Sequence, residues 1–212
     1  MALSKLKIFY TMKSFNIFFI SLMLFTLSSI TANAQIRLGG GFMSGVALGD
    51  FSNTYSIGFG GNVSAKYMVK ENISVGLKYE RMGYIAEQPD FTGINTTPPQ
   101  IDPLTMNNIY LTGSYHLMPN EDINIYAGLN IGVNLIRQYI VYSGPFLAPQ
   151  SQVVKNNEFT IVPKIGGDYM VSEEIGVEFS AGYAIAGDFQ YIPVSLGVIY
   201  LLDEKYILDM IK

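Results

Sequence analysis

The sequence predicts an all-β fold, an eight-stranded antiparallel up-and-down β-barrel that crosses a membrane with its strands. Apolar and polar residues alternate with a period of two in about eight separate runs, which is typical of strands with one apolar and one polar face. Only 14% of the residues are charged, whereas soluble domains average about 25%. Beyond residue 34 no apolar stretch approaches the roughly 20 residues of a membrane helix. A closed barrel is the other structure that satisfies every backbone polar group in lipid.

Residues 1–34 are expected to be a signal peptide that is removed from the mature protein. Three lysines precede an apolar stretch over residues 15–30, and the small-x-small triplet Ala32-Asn33-Ala34 follows as a cleavage site. A membrane anchor helix is the alternative, but the stretch is short and no charged flank follows it. The sequence therefore predicts export, whether translation starts at Met1 or at Met12.

The mature chain is expected to be one domain, with a barrel over residues 35–202 and a short periplasmic tail over residues 203–212. Its 10 basic and 17 acidic residues give a formal charge of −7, and no basic run could follow a phosphate backbone. Nucleic acid is therefore not an expected partner. The chain has no cysteine, which excludes disulfides, thiolate metal sites and cysteine nucleophiles.

Each predicted strand is a run in which one face is apolar. In the clearest run, residues 123–135, the odd positions are Ile, Ala, Leu or Val and the even positions are Asn, Tyr or Gly. Pro163 is a poor strand residue and predicts a bulge or a local break. The eight predicted strands cover residues 35–48, 55–69, 73–80, 108–117, 123–135, 159–169, 175–185 and 191–202.

The predicted connections alternate in length. Short and long connections fall on opposite ends of the barrel, which is the asymmetry of outer-membrane barrels, with short periplasmic turns, longer outer loops and both termini on the periplasmic side. Tight turns are expected over residues 70–72, 119–122 and 172–174, short loops over 50–54 and 187–188, and long segments over 86–106 and 138–157.

The composition of the polar face distinguishes a membrane barrel from a soluble, lipocalin-like barrel. A soluble barrel would carry charged side chains at many outward positions, whereas this face consists mostly of Gly, Ser, Asn and Thr. Small polar side chains suit the narrow interior of an eight-stranded barrel. The apolar face is therefore predicted to contact lipid. Tyrosines of that face are expected to form an interfacial girdle towards the strand ends: Tyr67, Tyr79, Tyr115, Tyr169, Tyr183 and Tyr200.

The mature chain resembles the small eight-stranded outer-membrane β-barrels of the OmpA and OmpX kind, especially the porin-family-like barrel domain common in Bacteroidota. The resemblance extends from Gln35-Ile36-Arg37-Leu38-Gly39-Gly40-Gly41, after Ala-Asn-Ala, to the closing strand over residues 191–202. It implies the outer membrane of a Gram-negative cell as the location. Outer-membrane lipid and lipopolysaccharide are the implied surroundings, and other envelope proteins are candidate partners. Proteobacterial members usually end on a strand with a terminal aromatic residue, whereas this chain continues through residues 203–212.

Charged residues on the predicted interior face form the first candidate site. An isolated charge in a narrow lumen is costly to desolvate, so we expect a network of ion pairs and hydrogen bonds that fills and rigidifies the barrel. A polar path for ions or small solutes is the alternative, since charged side chains line the walls of many pores. The narrow lumen favours the filled barrel. The expected network consists of Arg37, Lys66, Lys78, Glu80, Lys164, Asp168 and Glu178.

An acidic outer loop is the second candidate site. Glu87, Asp90 and Asp102 lie in the long segment over residues 86–106, which is stiffened by prolines and contains no Lys or Arg. Loops on a rigid scaffold carry most recognition. These carboxylates could contact cations or a protein partner, or serve only as solvated surface.

No enzymatic site is expected. His116 is the only histidine, and although Ser114 shares its face, no carboxylate nearby in the sequence is placed to orient the imidazole. With one histidine and no cysteine, neither a metal nor a cofactor is expected. The sequence thus predicts a non-enzymatic outer-membrane barrel that has a structural or adhesive role or is a small subunit of an envelope assembly. A passive narrow channel is the alternative.

Overall fold

The computed structural model describes residues 35–87, 100–101, 103–119, 121–144 and 147–202. The predicted signal peptide, the predicted periplasmic tail, Asp90 and Asp102 lie outside the described residues. Among the described residues, no helix is long and apolar enough to cross a membrane.

In the described part of the chain, ten strands form one antiparallel sheet that closes on itself. They are β1 Ile36–Leu48, β2 Tyr55–Lys70, β3 Ile73–Ala86, β4 Gln100–Ile101, β5 Leu104–His116, β6 Ile123–Gly144, β7 Leu147–Met170, β8 Ile175–Gly182, β9 Ala184–Ala186 and β10 Phe189–Leu202. Only Tyr183 separates β8 from β9, and β4 is a two-residue addition to β6. Eight strands therefore build the wall, and the prediction of an eight-stranded up-and-down barrel is confirmed.

The first and last strands complete the barrel wall. β1 pairs with β10 from Ile36 opposite Leu202 to Leu48 opposite Gln190. We call the end with the connections at residues 71–72, 117–122 and 171–174 the turn end, and both ends of the described barrel wall lie there. The other end, the loop end, includes the short 3-10 helix Gly49–Asn53 between β1 and β2.

The prediction of a long connection over residues 138–157 is wrong. β6 continues to Gly144 and β7 starts at Leu147, and the two strands pair along most of that segment. The pairing runs from Ile123 opposite Tyr169 to Tyr142 opposite Gln150, and the register shifts between Tyr142 and Gly144.

The bulge predicted at Pro163 does not occur. The register of β7 with β6 runs unbroken through Pro163 opposite Leu129. On its other side, Tyr183 donates its N–H to the Pro163 carbonyl over 3.0 Å. Pro163 has no N–H to return to Tyr183, so the local break that the sequence suggested falls in the neighbouring strand, between β8 and β9.

The barrel has its polar face inside and its apolar face outside. Phe42 is 84% exposed, Ile165 69% and Leu111 68%, whereas charged and amide side chains of the opposite face are buried. Of the predicted girdle, Tyr67, Tyr115, Tyr169 and Tyr200 lie near the turn end. Tyr79 and Tyr183 lie further along the wall, where their hydroxyls donate to Asn107 and Gln190.

Candidate functional site

The interior of the barrel contains nearly all the buried polar groups and is the candidate site. Successive side chains of a strand point to opposite faces, so every second residue of each wall strand projects into the lumen. The turn-end half is lined by charged and amide groups, and the loop-end half by aromatic and apolar groups.

An ion pair spans the lumen at the turn end. Arg37 Nη1 on β1 lies 3.2 Å from Asp168 Oδ2 on β7. Asn124 on β6 donates a hydrogen bond to the same carboxylate oxygen over 2.8 Å. Both charges are buried, and buried charges are stable when they are paired and hydrogen-bonded.

A hydrogen-bonded chain leads from this pair to the only histidine. Asn124 Nδ2 donates to His116 Nδ1 over 2.7 Å, and His116 Nε2 lies 2.9 Å from Ser74 Oγ. The distances are those of a nucleophile, a base and an orienting group. However, Ser74 is only 1% exposed, and an amide that donates to Nδ1 leaves the imidazole proton on Nε2, where it cannot accept the serine proton. The arrangement is therefore structural.

The serine that the sequence suggested as the partner of His116 is not its partner. Ser114 is buried, and its hydroxyl has no hydrogen-bond partner among the described residues. Ser74 takes that place because β3 and β5 pair with Ser74 opposite Ser114, which brings Ser74 beside the imidazole.

Glu178 is the centre of the interior network. Its carboxylate contacts the ammonium group of Lys66 and accepts a hydrogen bond of 2.6 Å from the Tyr126 hydroxyl. The ammonium groups of Lys66 and Lys164 lie 5.4 and 5.7 Å from the centroid of the Tyr126 ring. The ring face attracts cations, so Tyr126 interacts with the acid through its hydroxyl and with the two bases through its ring.

A third pair lies towards the middle of the lumen. Lys78 Nζ is 2.8 Å from Glu80 Oε1 on the same strand. Asn108 donates to the other carboxylate oxygen over 3.3 Å and to the Tyr191 hydroxyl over 3.1 Å. The Tyr191 hydroxyl lies 3.2 Å from that of Tyr110. These bonds connect the charged half of the interior to the aromatic half.

The loop-end half of the lumen is filled by a cluster that we call the aromatic plug. Phe51, on the 3-10 helix, packs its ring 4.9 Å from that of Tyr84 and 5.3 Å from that of Phe189. Tyr84 and Tyr191 are in edge contact at 5.9 Å. The plug comprises Met43, Ala47, Phe51, Tyr55, Met82, Tyr84, Leu104, Met106, Tyr110, Ile136, Val162, Ala184 and Tyr191, with Ala86 and Phe189 against it.

Comparisons with known proteins agree with this geometry. No protein-family model and no curated protein sequence matches the chain. Solved structures do match: Ail, the attachment invasion locus protein of Yersinia pestis, has a TM-score of 0.54 at 13% identity, with 81% of this chain and 100% of that chain covered. The fold is that of the small outer-membrane β-barrels.

Two further structures have the same fold. A major outer membrane protein from Thermus thermophilus gives a TM-score of 0.60 at 11% identity, with 80% of this chain and 99% of that chain covered. The outer membrane protein OprG from Pseudomonas aeruginosa gives a TM-score of 0.53 at 14% identity, with 80% and 96% covered. The similarity to small outer-membrane β-barrels covers about four fifths of this chain.

The seven charged residues singled out from the sequence all lie inside the barrel. Six of them form the three ion pairs, and Lys164 bonds to Thr112 instead. Glu87, from the predicted acidic loop, is exposed just after β3 and donates its backbone N–H to the Thr54 carbonyl over 2.8 Å.

The aromatic plug was not predicted from the sequence. Its members occupy the polar, inward face, as Tyr110 does between Asn108 and Thr112. On β3 the same face changes from Lys78 and Glu80 to Met82 and Tyr84. That change along a single strand was the available signal.

The space beside Lys78, Lys164 and Ser195 has a volume of about 10 Å³, room for about one water molecule. Within the described part of the chain, no group of three or more His, Cys, Asp or Glu side chains is placed to hold a metal ion.

Among the seven interior charged residues, Lys164 is the one base without a carboxylate partner among the described residues. Lys164→Met is expected to raise the free energy of unfolding by about 1–2 kcal/mol, because it removes the desolvation cost of a buried cation while keeping most of the side-chain volume. Urea unfolding in detergent micelles, followed by tyrosine fluorescence, measures the change. Lys66→Met is the matched control and should destabilise the barrel, since it leaves Glu178 without its ion-pair partner. Equal losses in both variants would contradict this view of Lys164.

Proposed function

We propose that the protein is an integral, non-enzymatic barrel of the bacterial outer membrane, exported by the signal peptide over residues 1–34. The observation that supports this most strongly is the inverted polarity of the barrel. Large apolar side chains are exposed on the outer faces of all eight wall strands, whereas water-soluble monomers rarely expose apolar patches of more than a few hundred Å². The interior is polar, as in transmembrane barrels.

Spin labels on single cysteines test this proposal, because the chain has no native cysteine. Leu111→Cys places a label on an exposed outward position of β5, and Glu121→Cys places one in an exposed turn. In vesicles, the label at position 111 should be accessible to oxygen and shielded from a water-soluble nickel chelate, and the label at 121 should show the reverse. Chelate access at position 111 equal to that at 121 would contradict membrane insertion.

The proposed role is structural or adhesive, or that of a small subunit of an envelope assembly. The interior offers no exposed nucleophile among the described residues, since the one serine–histidine contact is buried, and the aromatic plug occupies the loop-end half of the lumen. The remaining surface for recognition is at the loop end, where the ribbon formed by β6 and β7 extends beyond the pairing of β5 and β9.

A pull-down from outer membranes in mild detergent tests this role. A stoichiometric envelope partner would support a subunit role. If shortening the β6–β7 ribbon over residues 138–157 abolishes binding of that partner, the ribbon is the contact surface. Altered lipid A or phospholipid profiles after deletion of the gene would contradict the non-enzymatic role. In this proposal the organism is a Gram-negative bacterium of the Bacteroidota, the group whose porin-family-like barrels the sequence resembles.

A further inference from the structure

An open depression lies on the outer wall at β2 and β3. Its volume is about 580 Å³, and Phe59, Val63 and Tyr79 are among its lining residues. Two glycines of the outward face, Gly61 on β2 and Gly83 on β3, leave it open, and a Cβ at Gly83 would meet nothing within 4 Å. The depression thus exists because two outward positions of neighbouring strands have no side chain.

A protruding aromatic side chain lies beside the depression. Phe42 on β1 is directly opposite Gly61 on β2, and Gly61 in turn is opposite Arg81 on β3. Of the large apolar side chains that the structure describes, Phe42 is the most exposed, at 84%. Adjacent strands are about 4.8 Å apart, so the ring stands one strand away from Gly61. A protruding ring and an open recess therefore lie side by side on the outer face of the wall.

A charged residue lies within the apolar band at the same place. Arg81 is exposed and lines the depression, and the exposed side chains of Tyr79 and Ile85 lie on either side of it along β3. It has no ion-pair partner among the described residues. An arginine on the lipid-facing side of a barrel is destabilising, to an extent that depends on its depth. A protein surface that covers the depression and contacts the guanidinium would reduce this cost.

The ring and the depression are complementary to each other, which indicates a second copy of this chain as the covering surface. A two-fold axis along the membrane normal, placed between Phe42 and the depression, brings the ring of each copy to the depression of the other. The face of an inserted ring attracts a cation, so it also supplies a contact for Arg81. A different protein would have to provide both a ring and a recess, whereas a second copy provides both by symmetry.

We propose that the barrel forms a two-fold symmetric dimer in the membrane through the outer faces of β1, β2 and β3, with each Phe42 ring inserted into the depression of the other copy, beside Arg81. The inference rests on the proposed membrane insertion and goes beyond the proposed role. In the strand order of the sheet, β7 lies across the barrel from β2. The dimer therefore leaves both β6–β7 ribbons free for other contacts.

Energy transfer between labelled barrels in phosphatidylcholine vesicles tests the dimer. Glu121→Cys places a donor or an acceptor dye in an exposed turn, outside the proposed contact. Mixed donor and acceptor barrels should show transfer that rises with the ratio of protein to lipid and then saturates. Phe42→Ala should weaken dimerisation about tenfold, since truncation of a central aromatic residue is among the most costly changes at an interface. Ile165→Ala, which truncates an exposed apolar side chain on β7, is the matched control and should change nothing.

A second pair of variants tests the depression itself. Gly83→Leu fills the open space and should abolish most of the energy transfer. Gly113→Leu adds the same side chain at another outward glycine, on β5, where a Cβ would lie 4.0 Å from its nearest neighbour. This control should leave the transfer unchanged. The shift of gel migration on boiling shows whether each variant is folded, so that a loss of dimerisation is measured on intact barrels.

Cross-linking in the same vesicles locates the contact. Ser44→Cys, two residues from Phe42 on the outward face of β1, should be joined to its own copy by a short bismaleimide, whereas Ile165→Cys should not. Equal cross-linking at both positions would overturn the interface, as would transfer in Phe42→Ala equal to that of the unchanged barrel. A barrel that does not insert contradicts the membrane proposal itself. One that inserts and stays monomeric at every protein density contradicts only the dimer.

Discussion

Glu178→Ala is expected to lower the free energy of unfolding by about 3–5 kcal/mol, because removal of one member of a buried ion pair leaves the other charge uncompensated. Lys66 would then be buried without its carboxylate, next to Lys164, and the Tyr126 hydroxyl would lose its acceptor. Urea unfolding of the barrel in lipid vesicles or micelles measures the loss.

Two controls separate the charge from the rest of the change. Glu173→Ala removes an exposed acid at the turn end and should alter the free energy of unfolding by less than about 0.5 kcal/mol. The double variant Lys66→Met with Glu178→Leu replaces the ion pair by apolar groups and should recover most of the loss. A double variant as unstable as Glu178→Ala would show that the buried pair is not the cause.

Gly41→Val is expected to prevent closure of the barrel, at a cost of at least about 4 kcal/mol. Gly41 lies opposite Gly197 in the pairing of β1 with β10, and a Cβ on Gly41 would lie 2.3 Å from the Gly197 Cα and 2.3 Å from the Leu196 carbonyl oxygen. Both are backbone atoms, so no side-chain rotation relieves the clash.

Gly40→Val is the matched control, since it adds the same side chain one residue earlier. A Cβ there would lie 3.5 Å from its nearest neighbour, the Asn62 carbonyl oxygen, which is an ordinary contact. Folded barrels of this kind migrate differently before and after boiling in gel electrophoresis. We expect Gly40→Val to keep that shift and Gly41→Val to lose it. A folded, heat-modifiable Gly41→Val barrel would contradict the tight approach of the two strands.

The strands and their faces were predictable because they depend on local alternation. The period of two in residues 123–135 identifies a strand and its inward side without any knowledge of its neighbours. The same parity placed Arg37 and Asp168 inside. It could not pair them, because the two residues are 131 positions apart in the sequence and meet only through the closure and stagger of the barrel.

The rest depended on context that a local pattern does not contain. Residues 138–144 and 147–157 form strands because each segment supplies backbone hydrogen-bond partners for the other, which outweighs their irregular sequence pattern. Whether a position is odd or even within a strand predicts on which side of the wall its side chain lies. It does not predict which residues lie across the lumen at the same height. Phe51 packs on Tyr84 and Phe189, which come from separate parts of the chain. This contact could therefore not be predicted from the sequence pattern alone.

A filled lumen does not conduct ions, and conductance in planar lipid bilayers measures this property directly. The charged half of the interior could have formed a polar path, but the aromatic plug blocks its loop end, and the space beside Lys164 admits about one water molecule. The wild-type barrel, inserted at known density, is expected to show no discrete channel openings. Reproducible, ion-selective openings that disappear on changing Lys66 or Glu178 would contradict the filled barrel and establish a channel instead.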